Sequence, residues 1–320
     1  MTLKSRILYN LLTKNGCLTA HELSEDTVSR NAVWKAVRSL QEEGYPIEAV
    51  AGKGYRLKEG TDIPLAHEIS SLCGGTFNVR TLWECESTNN LLRRLAEEGA
   101  SDGEVLIACR QNGGRGRMGR SFYSEQGGLY MSILIRPEKA SCRGGDITAT
   151  AAVAVAKAVE KISGERAYIK WVNDVFCHGK KVCGILTDGA VSVENGILEY
   201  AVVGIGLNVY CPNGGFPSEL QDIAGGVHHT AEAGLINRYA AEILKEFKTL
   251  YTAPSHALED YRSRCFLVGQ TVTAVRGAEE LTLKVLGISD DYNLITEDEA
   301  GNIKQLYSGE VRVRSEGVPR

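Results

Sequence analysis

The chain has 320 residues, 43% of them hydrophobic and 24% charged, with a formal net charge of −4. Such a composition is close to an average globular protein and excludes collagen, coiled coil and extended disorder, while the length fits two domains or three small ones. A pI near 6.0 argues against a surface coated in basic residues, although a local basic face can hide inside the sum.

The longest uncharged small-apolar run, Ile147–Ala156, is far short of the ~20 residues a membrane span needs. The opening MTLKSRILYNLLTKNG lacks the apolar core and cleavage site of a secretory signal, so no membrane partner is expected. The nine cysteines (Cys17, Cys73, Cys85, Cys109, Cys142, Cys177, Cys183, Cys211 and Cys265) are scattered, with no C-x-x-C pair. No disulfide framework or protein-built metal site is expected from that spacing, and reduced thiols point to a cytoplasmic protein.

Leu3–Thr13 reads as a helix from the spacing of Ile7, Leu8, Leu11 and Leu12, ending at an Asn15-Gly16 C-cap. Thr19 and Glu22 make a capping box that opens a short helix, Ala20–Glu25. Ser29 caps a further helix that turns Ala32, Val33, Ala36, Val37 and Leu40 inward and stops at Gly44. Two short strands follow, Ile47–Val50 and Tyr55–Leu57, around a glycine turn carrying Lys53. This order predicts a winged helix-turn-helix over residues 1–62, with the helix-turn-helix at about 20–38 and the wing at about 47–57. Met1–Gly60 holds nine Lys/Arg against seven Asp/Glu, a net +2 that leaves −6 for the rest of the −4 total. The expected DNA-facing residues are Ser29, Arg30, Asn31, Lys35, Arg38 and Lys53. A small protein-contact domain with a solvated charged face is the competing reading.

Ile63–Pro64 marks a linker, and residues 63–267 then alternate strands and helices. Helices are expected at Asn89–Glu98 and Thr148–Ile162. Strands are expected at Glu104–Arg110, Gly128–Arg136, Ala167–Trp171, Lys181–Thr187 and Glu199–Gly204. Residues 268–320 carry four β-like runs, Gln270–Val275, Leu281–Ile288, Leu294–Thr296 and Val311–Arg314, the pattern of a small β-barrel. The expected class is α+β.

Four segments carry chemistry. Gly113–Arg120 contains a formal G-x-G-x-x-G, but a strand follows it where a dinucleotide fold needs a helix, so that fold is not expected. What remains is a glycine-rich loop bearing Arg115, Arg117 and Arg120, suited to wrapping an anion or to lying exposed on nucleic acid. Lys170–Asp174 and Gly179–Leu186 surround Lys181, an ammonium that needs an anion if it points inward and is otherwise solvated. Glu86–Asn89 opens a helix, where its hydroxyls and amide serve as caps or ligand contacts. Val203–Val209 is a glycine-relieved strand end that could pass close to a ring.

Taken in order, ESTN (Glu86–Asn89), Arg110-Gln111 leading into GRGRMGR, KWVND, GKKVCGIL and GIGLN resemble the family of bifunctional biotin protein ligases and biotin operon repressors. The similarity extends over nearly the whole chain, from the helix-turn-helix and its AGKGYRL wing to the C-terminal segment. It implies a central mixed α/β catalytic domain of the biotin/lipoate ligase type over 63–267 and an SH3-like β-barrel over 268–320. The implied reaction uses biotin and MgATP to make biotinyl-5′-adenylate, then transfers biotin to a lysine of a biotin carboxyl carrier protein or domain.

The same resemblance implies biotin-dependent repression of biotin genes by an adenylate-bound homodimer on operator DNA. Lys181, Arg115 and Arg117 would be catalytic. Biotin would meet Ser87, Thr88, Asn89, Gln111, Arg115, Gly116, Arg117 and Lys181. ATP and the adenylate would meet Arg117, Arg120, Phe122, Lys181 and Asn208.

Three positions depart from the family pattern: Met118 stands where arginine is usual, Phe122 where a close relative stacks tryptophan on adenine, and Val172 where proline is usual. The turn at Asp26–Val28 is also one residue shorter than usual and lacks the common glycine. The alternatives are a ligase with a non-repressing N-terminal domain, a lipoate-type adenylating ligase, and a transcription factor whose core only senses a ligand. The third predicts loss of the arginine loop or Lys181, and both are present.

Overall fold

The computed structural model describes residues 2–14, 16–24, 28–137, 144–192, 194, 196–276, 279–307, 310–312 and 317–319. The expected cap residue Asn15, Glu25, the turn residues Asp26 and Thr27, Cys142, and the strand residues Val313 and Arg314 lie outside them. The elements in chain order are α1 (Leu3–Thr13), α2 (Ala20–Ser24), α3 (Arg30–Glu42), β1 (Ile47–Val50), β2 (Gly54–Leu57), α4 (Ala66–Leu72), β3 (Asn78–Cys85), α5 (Thr88–Glu97) and β4 (Glu104–Gln111). There follow β5 (Leu129–Ile135), α6 (Gly144–Ser163), β6 (Tyr168–Lys170), β7 (Asp174–Cys177), β8 (Lys180–Val191), β9 (Leu198–Leu207), α7 (Leu235–Thr252), α8 (Pro254–Arg264), β10 (Thr271–Arg276), β11 (Glu279–Ile288), β12 (Leu294–Glu297), β13 (Ile303–Leu306) and β14 (Glu310–Arg312). None of the described helices is long and apolar enough to cross a membrane.

The N-terminal unit follows from its caps. The Thr19 N–H donates to Glu22 Oε2 at 2.8 Å and the Glu22 N–H to Thr19 Oγ1 at 3.3 Å, a reciprocal box that starts α2. Ser29 Oγ accepts the Ala32 N–H at 3.3 Å and starts α3. Ile7, Leu11, Leu23, Val33, Val37 and Leu40 close one small core, which continues into Ile63, Leu65, Trp83 and Cys109 of the next unit. Tyr45 packs on Trp83 with ring centroids 5.2 Å apart, so the winged unit is seated on β3 through aromatic contact.

The linker is stitched to the start of α7. Asp62 accepts the Gly234 and Ile236 N–H groups at 2.8 Å each, and the Tyr210 hydroxyl at 3.2 Å. Gly234, the N-cap of α7, has no side chain to do this work. Burial pushes the Asp62 carboxyl up even with these donors. Asp62→Ala is expected to remove about 2 kcal/mol of stability by orphaning the two N–H groups. A lowered thermal midpoint with intact secondary structure would show this, and an unchanged midpoint would refute it.

The seven-stranded sheet runs β3-β4-β5-β9-β8-β7-β6. Only β3 and β4, joined through α5, are parallel; the other neighbours are antiparallel. The side-chain period of two sends Val105, Ile107, Met131, Ile133, Val203 and Ile205 to the face covered by α6 and α7. The alanine-rich α6 is buried between that face and α7, its small side chains allowing close approach. Leu106, Leu134, Tyr200 and Val202 point the other way, beneath Leu92 and Ala96 of α5. Further along this second face the residues become Ser132, Gly184, Gly204 and Gly206, too small to fill the space. A five-stranded antiparallel sheet, β13-β12-β11-β10-β14, ends the chain, and the Trp171 indole N–H bonds the Tyr292 carbonyl at 2.7 Å to join it to the larger sheet. The expected run Val311–Arg314 is seen as β14 up to Arg312, and β3, β7, β13, α4, α7 and α8 are additional to the elements anticipated.

Candidate active site

Where the sheet face runs out of large side chains, a cavity of about 340 Å³ opens. Its lining brings together Ser87, Thr88, Asn89, Gln111, Arg115, Gly116, Arg117, Arg120, Phe122, Lys181 and Asn208, all eleven of the residues anticipated for small-molecule binding. They come from the start of α5, the end of β4, the loop between β4 and β5, the start of β8 and the end of β9.

One wall is a buried hydrogen-bond relay. The Thr88 N–H and hydroxyl both donate to Gln111 Oε1, at 2.8 and 3.1 Å. Gln111 Nε2 donates to Ser124 Oγ at 3.1 Å, and Ser124 to the Phe122 carbonyl at 2.9 Å. Ser132 Oγ lies 2.7 Å from Thr88 Oγ1 and 2.6 Å from Asn89 Oδ1. Asn89 Nδ2 donates to the Leu186 carbonyl and to Asp188 Oδ2, both at 3.1 Å. Asn89 is therefore bonded internally at both ends of its amide, whereas Ser87 Oγ only accepts, from the Asn90 N–H at 3.4 Å. Thr88 has spent its one hydroxyl proton inward and faces the cavity as an acceptor; Ser87 keeps a proton to donate.

The glycines of GIGLN are explained by close approach. A Cβ on Gly204 would stand 2.2 Å from Asn89 Oδ1, and one on Gly206 would stand 2.5 Å from the Phe122 ring. Gly206 pairs across the sheet with Gly184, whose Cβ would lie 3.0 Å from the same ring. Phe122 thus lies over a pair of glycines, with Tyr130 edge-on at 6.5 Å.

The arginine loop is a narrow hairpin. The Gln111 N–H bonds the Ser124 carbonyl at 2.9 Å, the Phe122 N–H the Gly114 carbonyl at 2.9 Å, and the Gly116 N–H the Arg120 carbonyl at 2.7 Å. These backbone bonds supply order that the repulsion among its three charges opposes. Met118 turns the tip with φ +56°, its side chain in solvent. Arg117 reaches Asn173 Oδ1 at 3.2 Å, and Asn173 is fixed in turn to the Ile185 carbonyl at 2.8 Å. The Trp171–Val172 peptide just before it is cis.

Lys181 points inward, as its strand flanks suggested, and meets an anion in the protein itself: Nζ is 2.7 Å from Asp174 Oδ1, the side chains 28% and 22% exposed. Asp174, Asn173, Ser124, Ser132 and Asp188 were not among the anticipated site residues. The alternation of LYMSILI, with Ser132 between Tyr130 and Leu134, is the signal that places a hydroxyl on the cavity face. Asn208 spends Nδ2 on the Gly225 carbonyl at 3.1 Å, leaving Oδ1 as what it can offer a ligand.

The anticipated DNA-facing residues Ser29, Arg30, Asn31, Lys35 and Arg38 lie exposed along α3 and its cap, with Lys53 exposed in the turn between β1 and β2. The eight described cysteines are free thiols.

Comparison with known proteins places these features. Residues 84–208 match the Biotin/lipoate A/B protein ligase family and residues 4–56 an HTH domain. The bifunctional ligase/repressor BirA of Bacillus subtilis is 33% identical over 89% of this chain and 90% of its own length. The Escherichia coli protein of the same name is 29% identical over 95% of each. A solved biotin protein ligase from Aquifex aeolicus, in complex with biotin and ATP, superposes with a TM-score of 0.61 at 29% identity, covering 74% of this chain and 98% of that one.

Proposed function

The chain belongs to the bifunctional biotin ligase/repressor family, and from that membership we propose how its own residues do the work. The activity is ATP-dependent activation of biotin as biotinyl-5′-adenylate, followed by transfer to a lysine of a carboxylase's biotin carboxyl carrier domain, coupled to repression through the helix-turn-helix.

The observation that carries the substrate is the pair at the start of α5. Ser87 offers a proton beside the lone pairs of Thr88, the complement of a C=O next to an N–H on a cyclic urea. Lipoate's dithiolane ring has neither group and would leave the Ser87 proton and the cavity-facing acceptor of Thr88 unmatched, which favours biotin over the lipoate alternative. Asn89, bonded on both sides, holds this wall rather than contributing a free contact. Thr88→Val keeps the shape and deletes the acceptor. It is expected to raise KM for biotin about tenfold or more with KM for ATP unchanged, and equal changes in both constants would count against the assignment.

Attack of the biotin carboxylate on the α-phosphorus forms the mixed anhydride and breaks the bond to pyrophosphate. Two anions must approach, so fixed cations at the developing charge lower the barrier. Lys181 faces the carboxylate and anhydride oxygens, while Arg115, Gly116 and Arg117 close over biotin and the phosphates. Arg120 and Phe122 flank the nucleotide, and Asn208 Oδ1 accepts from the adenine amino group.

Magnesium travels with ATP; among the described residues no group of three His, Cys, Asp or Glu is arranged to hold a metal, so no side chain is assigned to it. In the second step the carrier lysine amine attacks the acyl carbon, AMP leaves, and the amine sheds its proton. Until then the closed hairpin excludes water from the anhydride. Arg117→Ala removes the tie to Asn173 and is expected to speed loss of adenylate from the protein about tenfold or more. A filter-binding release assay reads this, and an unchanged release rate would contradict the closure role.

Three further assignments rest on the same membership. The units span 1–62, 63–267 and 268–320, the last an SH3-like barrel. The adenylate-bound protein acts as a homodimer, because paired half-sites need paired recognition helices. The protein works in the cytoplasm, where its carrier and operator DNA are found.

A further inference from the structure

Of the three tryptophans, Trp83 and Trp171 are buried, while Trp34 is 47% exposed. It sits on α3 between Arg30-Asn31 and Lys35-Arg38, outside the face of Val33, Val37 and Leu40, which fill the core. A singly exposed apolar side chain is ordinary on a protein surface; what sets Trp34 apart is its place among the cations of α3. Its surroundings are cationic: the Arg38 guanidinium lies 5.5 Å from the ring centroid and is itself steadied by Glu42, 3.3 Å from Arg38 Nε. One face of the indole is thus held by Arg38, and the rest is presented to solvent in a fixed direction. An apolar protein surface would not be matched to a ring that carries Arg38 on one face and shares its helix with the exposed Arg30 and Lys35; a polyanion with an apolar mark on it would. In the major groove that mark is the 5-methyl group of thymine, the one apolar feature of the base-pair edges.

We propose that Trp34 is a specificity-determining residue of the DNA-binding unit and reads a thymine through its 5-methyl group. The inference rests on the repressor reading, with Arg30, Asn31 and Lys35 positioning the helix on phosphates and neighbouring bases. It gives the winged unit a sequence-reading contact that its net charge of only +2 cannot supply.

The test uses the full chain with biotin and ATP, first to select duplexes from a random 40-base-pair pool. The selected duplexes are then remade with uracil in place of thymine, one position at a time. Burying one methyl corresponds to about a fourfold change in affinity per half-site. The expected result is one thymine per half-site whose conversion to uracil weakens binding by that factor, with Trp34→Ala weakening the thymine duplex and binding thymine and uracil duplexes equally. Ligase activity serves as the folding control for the variant. Uracil duplexes bound as tightly as thymine duplexes at every position would overturn the proposal, as would a Trp34→Ala protein that keeps the thymine preference. Failure of the wild-type chain to select any duplex would instead overturn the repressor reading itself.

Discussion

Lys181→Ala is expected to lower the rate of adenylate formation by about 10²–10³-fold, the usual loss when a fixed group facing transition-state charge is removed. The ammonium is already aimed by its ion pair with Asp174, so no reorganisation is needed when the carboxylate and phosphate oxygens arrive. Deleting it does double harm, because the Asp174 carboxylate then faces the incoming anions uncompensated. Folding is expected to change little, since both side chains keep partial access to solvent and such a pair adds about 1 kcal/mol or less. Biotin-dependent pyrophosphate release is the readout. Near-normal turnover in this variant would remove Lys181 from the chemistry, and loss of folded protein would make it a structural residue.

Gly204→Ala is expected to be nearly as severe for biotin binding, although the substitution adds only one methyl group. Its Cβ would overlap Asn89 Oδ1 at 2.2 Å, and Asn89 has no slack, being bonded to Leu186, Asp188 and Ser132. Room is made only by moving the first turn of α5, which carries Ser87 and Thr88. The expected outcome is a biotin affinity at least about 100-fold weaker and a stability loss of about 1–3 kcal/mol. Gly206→Ala meets the Phe122 ring, which can swing away, so its effect on biotin is expected to be smaller. Calorimetric titration with biotin ranks the two, and equal affinities for Gly204→Ala and wild type would contradict the close-approach account.

The winged unit was legible because its signals are local: Thr19 with Glu22, Ser29 with Ala32, and an apolar face of period 3.6 each declare themselves within a few residues. The cavity residues were legible as motifs, but not their division of labour. Nothing near Asn89 in sequence shows that its amide is consumed by Leu186 and Asp188, about a hundred residues away. Asp174 reads as a turn residue until β7 and β8 pair and bring it to Lys181. Strand β3 escaped because NVRTLWEC mixes charge with its apolar positions, whereas α7 carries an apolar repeat of helical period, Leu235, Ile236, Tyr239, Ala240, Ile243, Leu244 and Phe247, in a stretch where no expectation was placed. The net charge of −4 misleads in the same way: it averages a +2 winged unit with an acidic body.

One cavity that activates biotin must also hand it to a carrier lysine, and the two steps can be followed together. The most direct measurement incubates the full chain with ATP, a biotin carboxyl carrier domain, and either biotin or lipoate, following pyrophosphate release and the mass of the carrier. The expected result is pyrophosphate and a singly modified carrier with biotin, and neither with lipoate. Modification by lipoate alone, or release of pyrophosphate from neither acid, would contradict it.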